Sequence, residues 1–254
     1  LNRYDGAKFT IYKHEPNNEH SLAHNFVRTV FEDSKGHLLI GTYIGIQMYD
    51  PATDNFTPLA KLEDTGETLE SNINSFIERK NGEIWVSGNV LCKLDIKDHL
   101  LTVRKVDIAV TSPGSLFEDK KQNVWMAKGE EGVYQLTPDN QLTLHLSKDN
   151  GYVKSICEDQ RGNIYVGSIR KGLFIYDKER KTFVPIDLKE KGELPVCFLY
   201  SGIPNELYIG TDGKGVVIYN IRTHEISEYK FDNNYFDSGN SKIHSILKDN
   251  SGNL

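Results

Sequence analysis

The chain alternates apolar and polar residues in short runs, and one arrangement of these runs recurs along its length. In the fullest copy, Cys157–Asp177, the segments Ile164–Gly167 and Leu173–Asp177 have the two-residue periodicity of β-strands. The turn before them runs from Asp159, whose carboxylate can accept hydrogen bonds from the following amides, to Gly162, which tolerates a positive φ. Each copy therefore predicts antiparallel strands joined by tight turns.

The copies follow one another at a regular spacing. A large residue in the second strand marks each of them: Leu39, Trp85, Trp125, Tyr165 and Tyr208. A period of roughly 40–45 residues with several strand-sized runs per unit is typical of β-propeller blades. The two-residue periodicity excludes helical repeats. We therefore predict an all-β fold, a β-propeller made of four-stranded antiparallel blades.

The repeat sets the predicted boundaries within one propeller segment, 1–254. We place a partial blade at 1–12, blades at about 24–60, 72–106, 113–146, 152–187 and 195–231, and an opening strand at 242–254. The innermost strands are predicted at Val27–Phe31, Ile73–Ile77, Gly114–Phe117, Val153–Cys157, Val196–Tyr200 and Ile243–Leu247, and the fourth strand of the first blade at Phe56–Leu59. Because the last unit lacks its second strand, we expect an open array with unpaired edges and exposed blade faces.

Charge and composition limit the classes of partner that the chain is expected to bind. The formal net charge is −6, and no cluster of basic residues is longer than the turn Lys178–Lys181. Nucleic-acid binding needs a basic stripe, so nucleic acid is not an expected partner. No apolar run is long enough to span a membrane.

Neither a metal nor a cofactor is predicted. The three cysteines, Cys92, Cys157 and Cys197, fall in predicted strands without the paired spacing of a zinc site, and we expect them to be small buried residues. The segment His14–His20 lacks the spacing of a zinc protease helix and contains a proline. The glycine-rich segment Gly210–Gly215 has no helix after it, so it is not a phosphate loop.

An aspartate begins the turn in four of the copies: Asp33, Asp119, Asp159 and Asp249. The second copy has Arg79 instead, and the fifth replaces the Glu-Asp pair with Ser201–Pro204. The aspartates are therefore not a catalytic or calcium-binding set that every blade requires. We interpret them as turn caps and predict no catalytic residue.

A ligand would meet the loops that lead into the innermost strands and those that join the second and third strands, since both sets share one face of a propeller. Cationic and hydroxyl-bonding groups there favour an acidic or highly hydroxylated sugar, and tyrosine can stack on a sugar ring. The candidate ligand-binding residues are Arg28, Asn74, Lys154 and His244 on the innermost strands, with Tyr43, Arg170 and Asp212 in the joining loops. Gly114 and Cys197 stand at the equivalent positions of the other two innermost strands. The alternative is a hydrated surface without a ligand, on which Tyr43 only covers its blade.

The first unit carries a longer pattern, formed by Asn25, Glu32-Asp33, Gly36, Gly41-Thr42, Gly45-Ile46 and Tyr49-Asp50. This pattern resembles the two-component regulator propeller repeat. The resemblance extends over the whole chain in five phased copies, although the tryptophan of the pattern is kept only at Trp85 and Trp125.

The resemblance implies the extracytoplasmic, periplasmic sensor region of a membrane-bound hybrid histidine kinase, of the kind with which Bacteroides-type bacteria detect products of glycan breakdown. Propellers of this family have seven blades, so the chain would be an incomplete part of such a ring. The implied ligand is an oligosaccharide, and the implied partners are the remaining blades and the Ig-like domain of the same sensor, with a homodimer as a further arrangement. The chain itself would signal to a downstream kinase and would not be an enzyme.

Two other classes of function stay open. A carbohydrate-active propeller enzyme, either a glycosidase or a lyase, would need two carboxylates facing each other across a bond, for which Glu130, Glu131 and Asp212 are the candidates. A protein-interaction scaffold would need only a patchy face.

Overall fold

The computed structural model describes residues 1–146, 151–188, 194–229 and 242–248, and these residues form strands and turns without a helix. The chain divides into two compact units, Leu1–Leu116 and Phe117–Leu254. Every blade-sized sheet in them is antiparallel in chain order, apart from one short added strand. The predicted fold class, all-β with the four-stranded blades of a β-propeller, is confirmed.

The first unit contains a two-stranded sheet and two blades. Strands β1 (Asn2–Tyr4) and β2 (Phe9–Ile11) pair with each other. The first blade consists of β3 (Val27–Glu32), β4 (Leu38–Thr42), β5 (Ile46–Asp50) and β6 (Asn55–Phe56). The second blade contains β8 (Ser75–Glu78), β9 (Ile84–Ser87), β10 (Leu91–Lys97) and β11 (Leu100–Lys105), with the short strand β7 (Lys61–Leu62) added in parallel beside β11.

The second unit contains three blades. The third blade is β12 (Leu116–Glu118), β13 (Val124–Lys128), β14 (Gly132–Leu136) and β15 (Leu142–Leu146). The fourth is β16 (Val153–Glu158), β17 (Ile164–Ser168), β18 (Gly172–Asp177) and β19 (Thr182–Pro185). The fifth is β20 (Val196–Ile203), β21 (Glu206–Thr211), β22 (Val216–Asn220) and β23 (Ile226–Glu228).

Some predicted strands were placed wrongly. Strand β8 begins at Ser75 rather than Ile73, because Ile73 packs on the first blade and its amide donates to the carbonyl of Thr42. Strand β6 ends at Phe56, because the amide of Met48 donates its hydrogen bond to the hydroxyl group of Thr57 rather than to a main-chain carbonyl.

The ends of two further innermost strands also differ from the prediction. Strand β12 begins at Leu116 rather than Gly114, whose carbonyl accepts a hydrogen bond from the Ser87 hydroxyl. No strand forms at 243–248. The preceding residue, Lys242, makes a single isolated β-bridge with Asp212. The rest of the predicted opening strand, with Asp249, lies outside the described residues.

Neighbouring blades approach closely where the second strand carries a glycine. A β-carbon added at Gly41 would lie 2.6 Å from a methyl group of Ile73, the residue that leads into the next blade. Gly167 faces Val196 in the same way, and Gly210 faces Ile243. Because glycine has no side chain, these contacts let β-branched residues of the next blade pack directly against the sheet. The centres of the second strands are fully buried, with Trp125 and Tyr165 each 1% exposed.

Buried carboxylates hold the turn between the first and second strands. Asp159, 4% exposed, accepts hydrogen bonds from the amides of Arg161 and Asn163, from the Asn163 side chain and from the Tyr165 hydroxyl. Asp119 forms the same set in the third blade, with the Trp125 indole as its last donor. The interpretation of these aspartates as turn caps is confirmed, and it also explains why an aromatic residue follows at a fixed distance.

The blades without this arrangement supply the acceptor differently. In the second blade Glu83 accepts the Trp85 indole N–H at 3.1 Å, while Arg79 lies over the Trp85 ring at 4.6 Å from its centre. In the fifth blade the Tyr208 hydroxyl donates to Glu206. In the first blade, where the second strand has no aromatic residue, His37 approaches Asp33 at 2.7 Å. In each of the five blades, a carboxylate beside the second strand therefore accepts or shares a hydrogen bond with a ring-bearing side chain.

We expect the Asp159→Ala variant to lose roughly 2–4 kcal/mol of unfolding free energy, because several donors in a buried turn lose their acceptor. Urea denaturation would measure the loss. Asp139→Ala, in an exposed turn, is the control and should change the value by less than about 0.5 kcal/mol. Equal stability of the two variants would show that the carboxylate is not needed in the turn.

A second prediction concerns acid. The hydrogen bond from Lys93 to Glu83 lowers the pKa of Glu83 to about 2, against the opposing effect of its burial. A lowered pKa stabilises the folded state above the unfolded value of about 4.3 and loses this effect as the pH falls towards 2. Glu83→Gln should therefore flatten the fall in stability between pH 5 and pH 2.5. The exposed Glu70→Gln variant should keep the parental slope, and an unchanged slope in Glu83→Gln would contradict the assignment.

Candidate ligand-binding surface

Three innermost strands contain a β-bulge at their second residue. In β3 the pairing shifts between Val27 and Thr29, so that Arg28 has no partner on β4. The same shift leaves out Lys154 in β16 and Cys197 in β20. A bulge turns the extra side chain away from the regular alternation of the strand. The backbone thus distinguishes the position at which the sequence predicted ligand-binding residues.

The two predicted sets of loops lie together in three of the blades. The amide of Tyr43, in a joining loop, donates to the carbonyl of Phe26, which precedes β3. The equivalent bonds run from Ile169 to Tyr152 and from Asp212 to Pro195. Each bond ties the joining loop to the loop that leads into the innermost strand. The bulge residue therefore stands next to a joining loop in its own blade.

In the first unit these loops carry an exposed aromatic patch of His24, Phe26 and Tyr43. The ring of Tyr43 lies 5.6 Å from that of His24 and 6.5 Å from that of Phe26. Phe26 and Tyr43 are 57% and 55% exposed. Arg28 is exposed as well and forms no ion pair within residues 1–116. Asn74 is half-buried and donates to the carbonyl of Pro113, so its amide group stabilises the loop.

In the second unit the charges of Lys154 and Asp212 both influence the pKa of Cys197. Burial raises the pKa of the Cys197 thiol, which is 1% exposed, while the charge of Lys154 lowers it and that of Asp212 raises it. The Asp212 carboxylate accepts a hydrogen bond from Lys242 at 2.7 Å, and this contact raises the pKa of Lys242. His244, two residues further on, is exposed. The structure thus brings Lys154, Asp212 and Lys242 together around a buried thiol.

Arg170 has a different environment. Its guanidinium pairs with Glu130 at 2.8 Å, and both side chains are more than half exposed. Beside them Tyr152, 43% exposed, packs on Gly129 of the neighbouring joining loop. An exposed pair of this kind contributes little to stability and can exchange partners. Arg170 is therefore held near Glu130 but is open to a ligand.

The carboxylates considered for an enzyme each face a cation. Glu130 pairs with Arg170, Glu131 with Lys128 at 2.8 Å, and Asp212 with Lys242. The arrangement is that of salt bridges on loops.

The parts of the chain that the structure describes contain no cluster of three or more His, Cys, Asp or Glu side chains suited to a metal ion. The three cysteines are buried and unpaired, and burial raises the pKa of Cys92 to about 11 and that of Cys157 to about 12. Among the same residues no helix is long and apolar enough to cross a bilayer.

The family comparison bears on the repeated unit. Residues 21–43 and 147–170 match the model of the two component regulator propeller. Two segments of the chain carry two-component regulator propeller repeats. These segments include the loops, bulges and capped turns of the first and fourth blades, so the family recognised from the sequence pattern is confirmed. No curated protein matches the chain in sequence.

Solved structures with similar folds come from several contexts. The extracellular domain of a hybrid two component system from B. thetaiotaomicron is 18% identical with a TM-score of 0.72, over 95% of this chain and 34% of that one. A second such domain from B. thetaiotaomicron is 17% identical with a TM-score of 0.52, over 84% and 35%. Catalytically inactive virginiamycin B lyase from Staphylococcus aureus with quinupristin is 13% identical with a TM-score of 0.66, over 91% and 75%.

These likenesses establish the fold. The propeller repeats of this chain span about a third of the length of the first two structures that it matches.

Sequence reasoning missed part of the surface. Phe26 and His24 lie in a loop next to the innermost strand, and an aromatic residue just after the patterned Asn25 is the signal that could have found them. Lys242 gave no such signal, because its role depends on the contact with Asp212 in the fifth blade. That the candidate residues of the two units contribute to one ligand site stays a prediction.

We expect Tyr43→Ala to change the unfolding free energy by less than about 1 kcal/mol, because its ring is mostly exposed. Tyr165→Ala, at a buried position of a second strand, is the contrasting variant and should cost roughly 3–5 kcal/mol. Thermal and urea denaturation of both variants would test this. A loss in Tyr43→Ala as large as that in Tyr165→Ala would mean that Tyr43 serves only to cover its blade.

Proposed function

We propose that the chain is a ligand-sensing propeller segment of the extracytoplasmic region of a hybrid two-component regulator. The observation that carries the proposal is the match of two of its repeats to the two component regulator propeller. The fold shared with extracellular domains of hybrid two component systems supports it. In such a protein the propeller would bind an oligosaccharide and pass the signal to a downstream histidine kinase.

The same proposal places the chain in the periplasm, as part of an inner-membrane protein. Its partners there would be the remaining blades and the Ig-like domain of the same sensor, with a second copy in a homodimer as a further arrangement. The ligand, the partners and the location all rest on the relation to such sensors.

The chemistry of the first unit supports a hydroxylated ligand. The aromatic patch offers flat apolar rings with polar edges, which suit the face of a sugar ring. Arg28 stands on β3, just after this patch, with its charge unpaired within residues 1–116. A guanidinium can donate two parallel hydrogen bonds to a carboxylate or to neighbouring hydroxyl groups. An acidic oligosaccharide would therefore be bound in preference to an apolar molecule.

The second unit adds groups of the same kind. Lys154 is half-buried beside Cys197, and Arg170 is exposed in its pair with Glu130. Both are cations at the same end of the fourth blade. Lys154→Ala tests their contribution separately from that of Arg28.

The competing proposal of a carbohydrate-active enzyme predicts turnover. The pairing of Glu130, Glu131 and Asp212 with cations supports binding over catalysis. A sensor should leave glycans intact, as measured by the absence of new reducing ends and of unsaturated products. Cleavage that is abolished in Asp212→Asn would overturn the sensor proposal.

A panel of acidic and neutral oligosaccharides, added to the 254-residue chain, tests binding. A ligand at about 100 times its dissociation constant should stabilise the fold by roughly 2.7 kcal/mol and raise the melting temperature. Arg28→Ala and Tyr43→Ala should lose this shift while melting like the parent without ligand. Arg104→Ala, an exposed cation on the outer strand β11, is the matched control and should keep the shift. Full binding by both test variants would show that the ligand site lies elsewhere.

A further inference from the structure

The second unit contains a cavity of about 300 Å³ between its third and fourth blades. It is lined by the turns that follow β12 and β16, together with the turn after β18. Lys154 stands at the start of β16, whereas the cavity adjoins Glu158 at the end of that strand. The cavity therefore lies at the opposite end of the fourth blade from the candidate ligand-binding surface. It is separate from the site of the proposed function.

The lining of this cavity is positively charged. Lys120, Lys121, Arg161 and Lys178 contribute four cations, and Asp119 and Glu158 are the two acidic residues. The Asp119 carboxylate is surrounded by donors of its own turn. Glu158 accepts a hydrogen bond from the amide of Lys120 at 3.0 Å. An excess of two positive charges is unusual in a chain whose net charge is −6.

Two of these four cationic side chains have no ionic or hydrogen-bonding partner among the described residues. Within the part of the chain that the structure describes, Lys121 and Lys178 form neither an ion pair nor a side-chain hydrogen bond, and both are exposed. Lys120 instead fixes the cavity wall, since its ammonium group donates to the carbonyls of Asp159 and Gln160. Arg161 donates to Asn205 and faces no carboxylate among the described residues. The wall is thus held in place while the charges of Lys121 and Lys178 stay available.

The cavity also contains side chains that can form hydrogen bonds with the hydroxyl groups of a ligand. Tyr176 lines it with a ring that packs edge-on against Trp125, at 5.2 Å between centres. Its hydroxyl group forms no hydrogen bond with any described residue, and the same holds for the side-chain amide of Gln160. Both groups can donate and accept hydrogen bonds. A volume at the lower end of the range for ligand pockets, roughly 300–1,000 Å³, suits a molecule about as large as one sugar unit.

We propose that this cavity binds a small hydroxylated anion, namely a sugar acid or a sugar phosphate. Lys121, Lys178 and Arg161 pair with the anionic group, because charge-assisted hydrogen bonds to a carboxylate or phosphate are the stronger kind. Tyr176 and Gln160 bind the hydroxyl groups of the ring. The ligand bridges the turns of two blades and stabilises their contact.

Isothermal titration calorimetry of the 254-residue chain tests the proposal with four probes: glucuronate, glucose 6-phosphate, glucose and inorganic phosphate. Glucuronate or glucose 6-phosphate should bind at least tenfold more tightly than glucose and inorganic phosphate. The double variant Lys121→Glu/Lys178→Glu should weaken that binding by tenfold or more, the loss expected when a charge-assisted hydrogen bond is removed. Lys35→Glu reverses a charge at the corresponding turn position after β3, outside the cavity, and should bind like the parent.

Tyr176→Phe keeps the ring and removes only the hydroxyl group, so it should weaken the sugar anions without affecting inorganic phosphate. Equal binding of glucose and the anions would overturn the role of charge. Equal binding of inorganic phosphate and the sugar anions would overturn the role of the hydroxyl groups. Absence of binding by every probe at 10 mM, or unaltered binding in the double variant, would overturn the site itself.

Discussion

The blades depend on one buried acceptor beside the second strand. An aromatic side chain at the centre of that strand fills the space between blades, yet its indole or phenol group needs a hydrogen-bond partner where water is excluded. Asp119 and Asp159 supply that partner and, with the same carboxylate, hold the turn that begins the strand. Turn geometry and core packing are thereby joined in one side chain, so a blade cannot keep its aromatic residue and lose the acceptor without cost.

Different residues meet this demand in different blades. Glu83 and Glu206 accept from the far side of the turn, two residues before the aromatic side chain, and Arg79 then covers the ring of Trp85. The loss of a pattern residue is therefore no sign of a failing blade. The family model matches segments of the first and fourth blades, while the structure forms antiparallel strands in chain order in all five.

Features set within one blade could be predicted from the sequence, whereas features that need two blades could not. Alternation located the second and third strands, and the Asp-Gly spacing identified the turns of the first and fourth blades. The start of β8 was misplaced because Ile73 belongs to the contact with Gly41, and no local pattern reveals such a contact. The site follows the same rule. Arg28 and Lys154 were proposed from their position in the repeat, but the pairing of Arg170 with Glu130 and the cavity beside Tyr176 arise only when separate blades meet.

The bulges at Arg28, Lys154 and Cys197 have an evolutionary consequence. The pairing shift is a property of the backbone, and it accommodates an arginine, a lysine and a cysteine in three blades of one chain. Under the proposed function, a substitution at such a position would alter what a duplicated propeller recognises without passing through a variant that fails to fold, provided that the side chain projects from the sheet, as Arg28 does. Gene duplication followed by single changes at bulges would then let recognition diverge among paralogues faster than the blades that carry it.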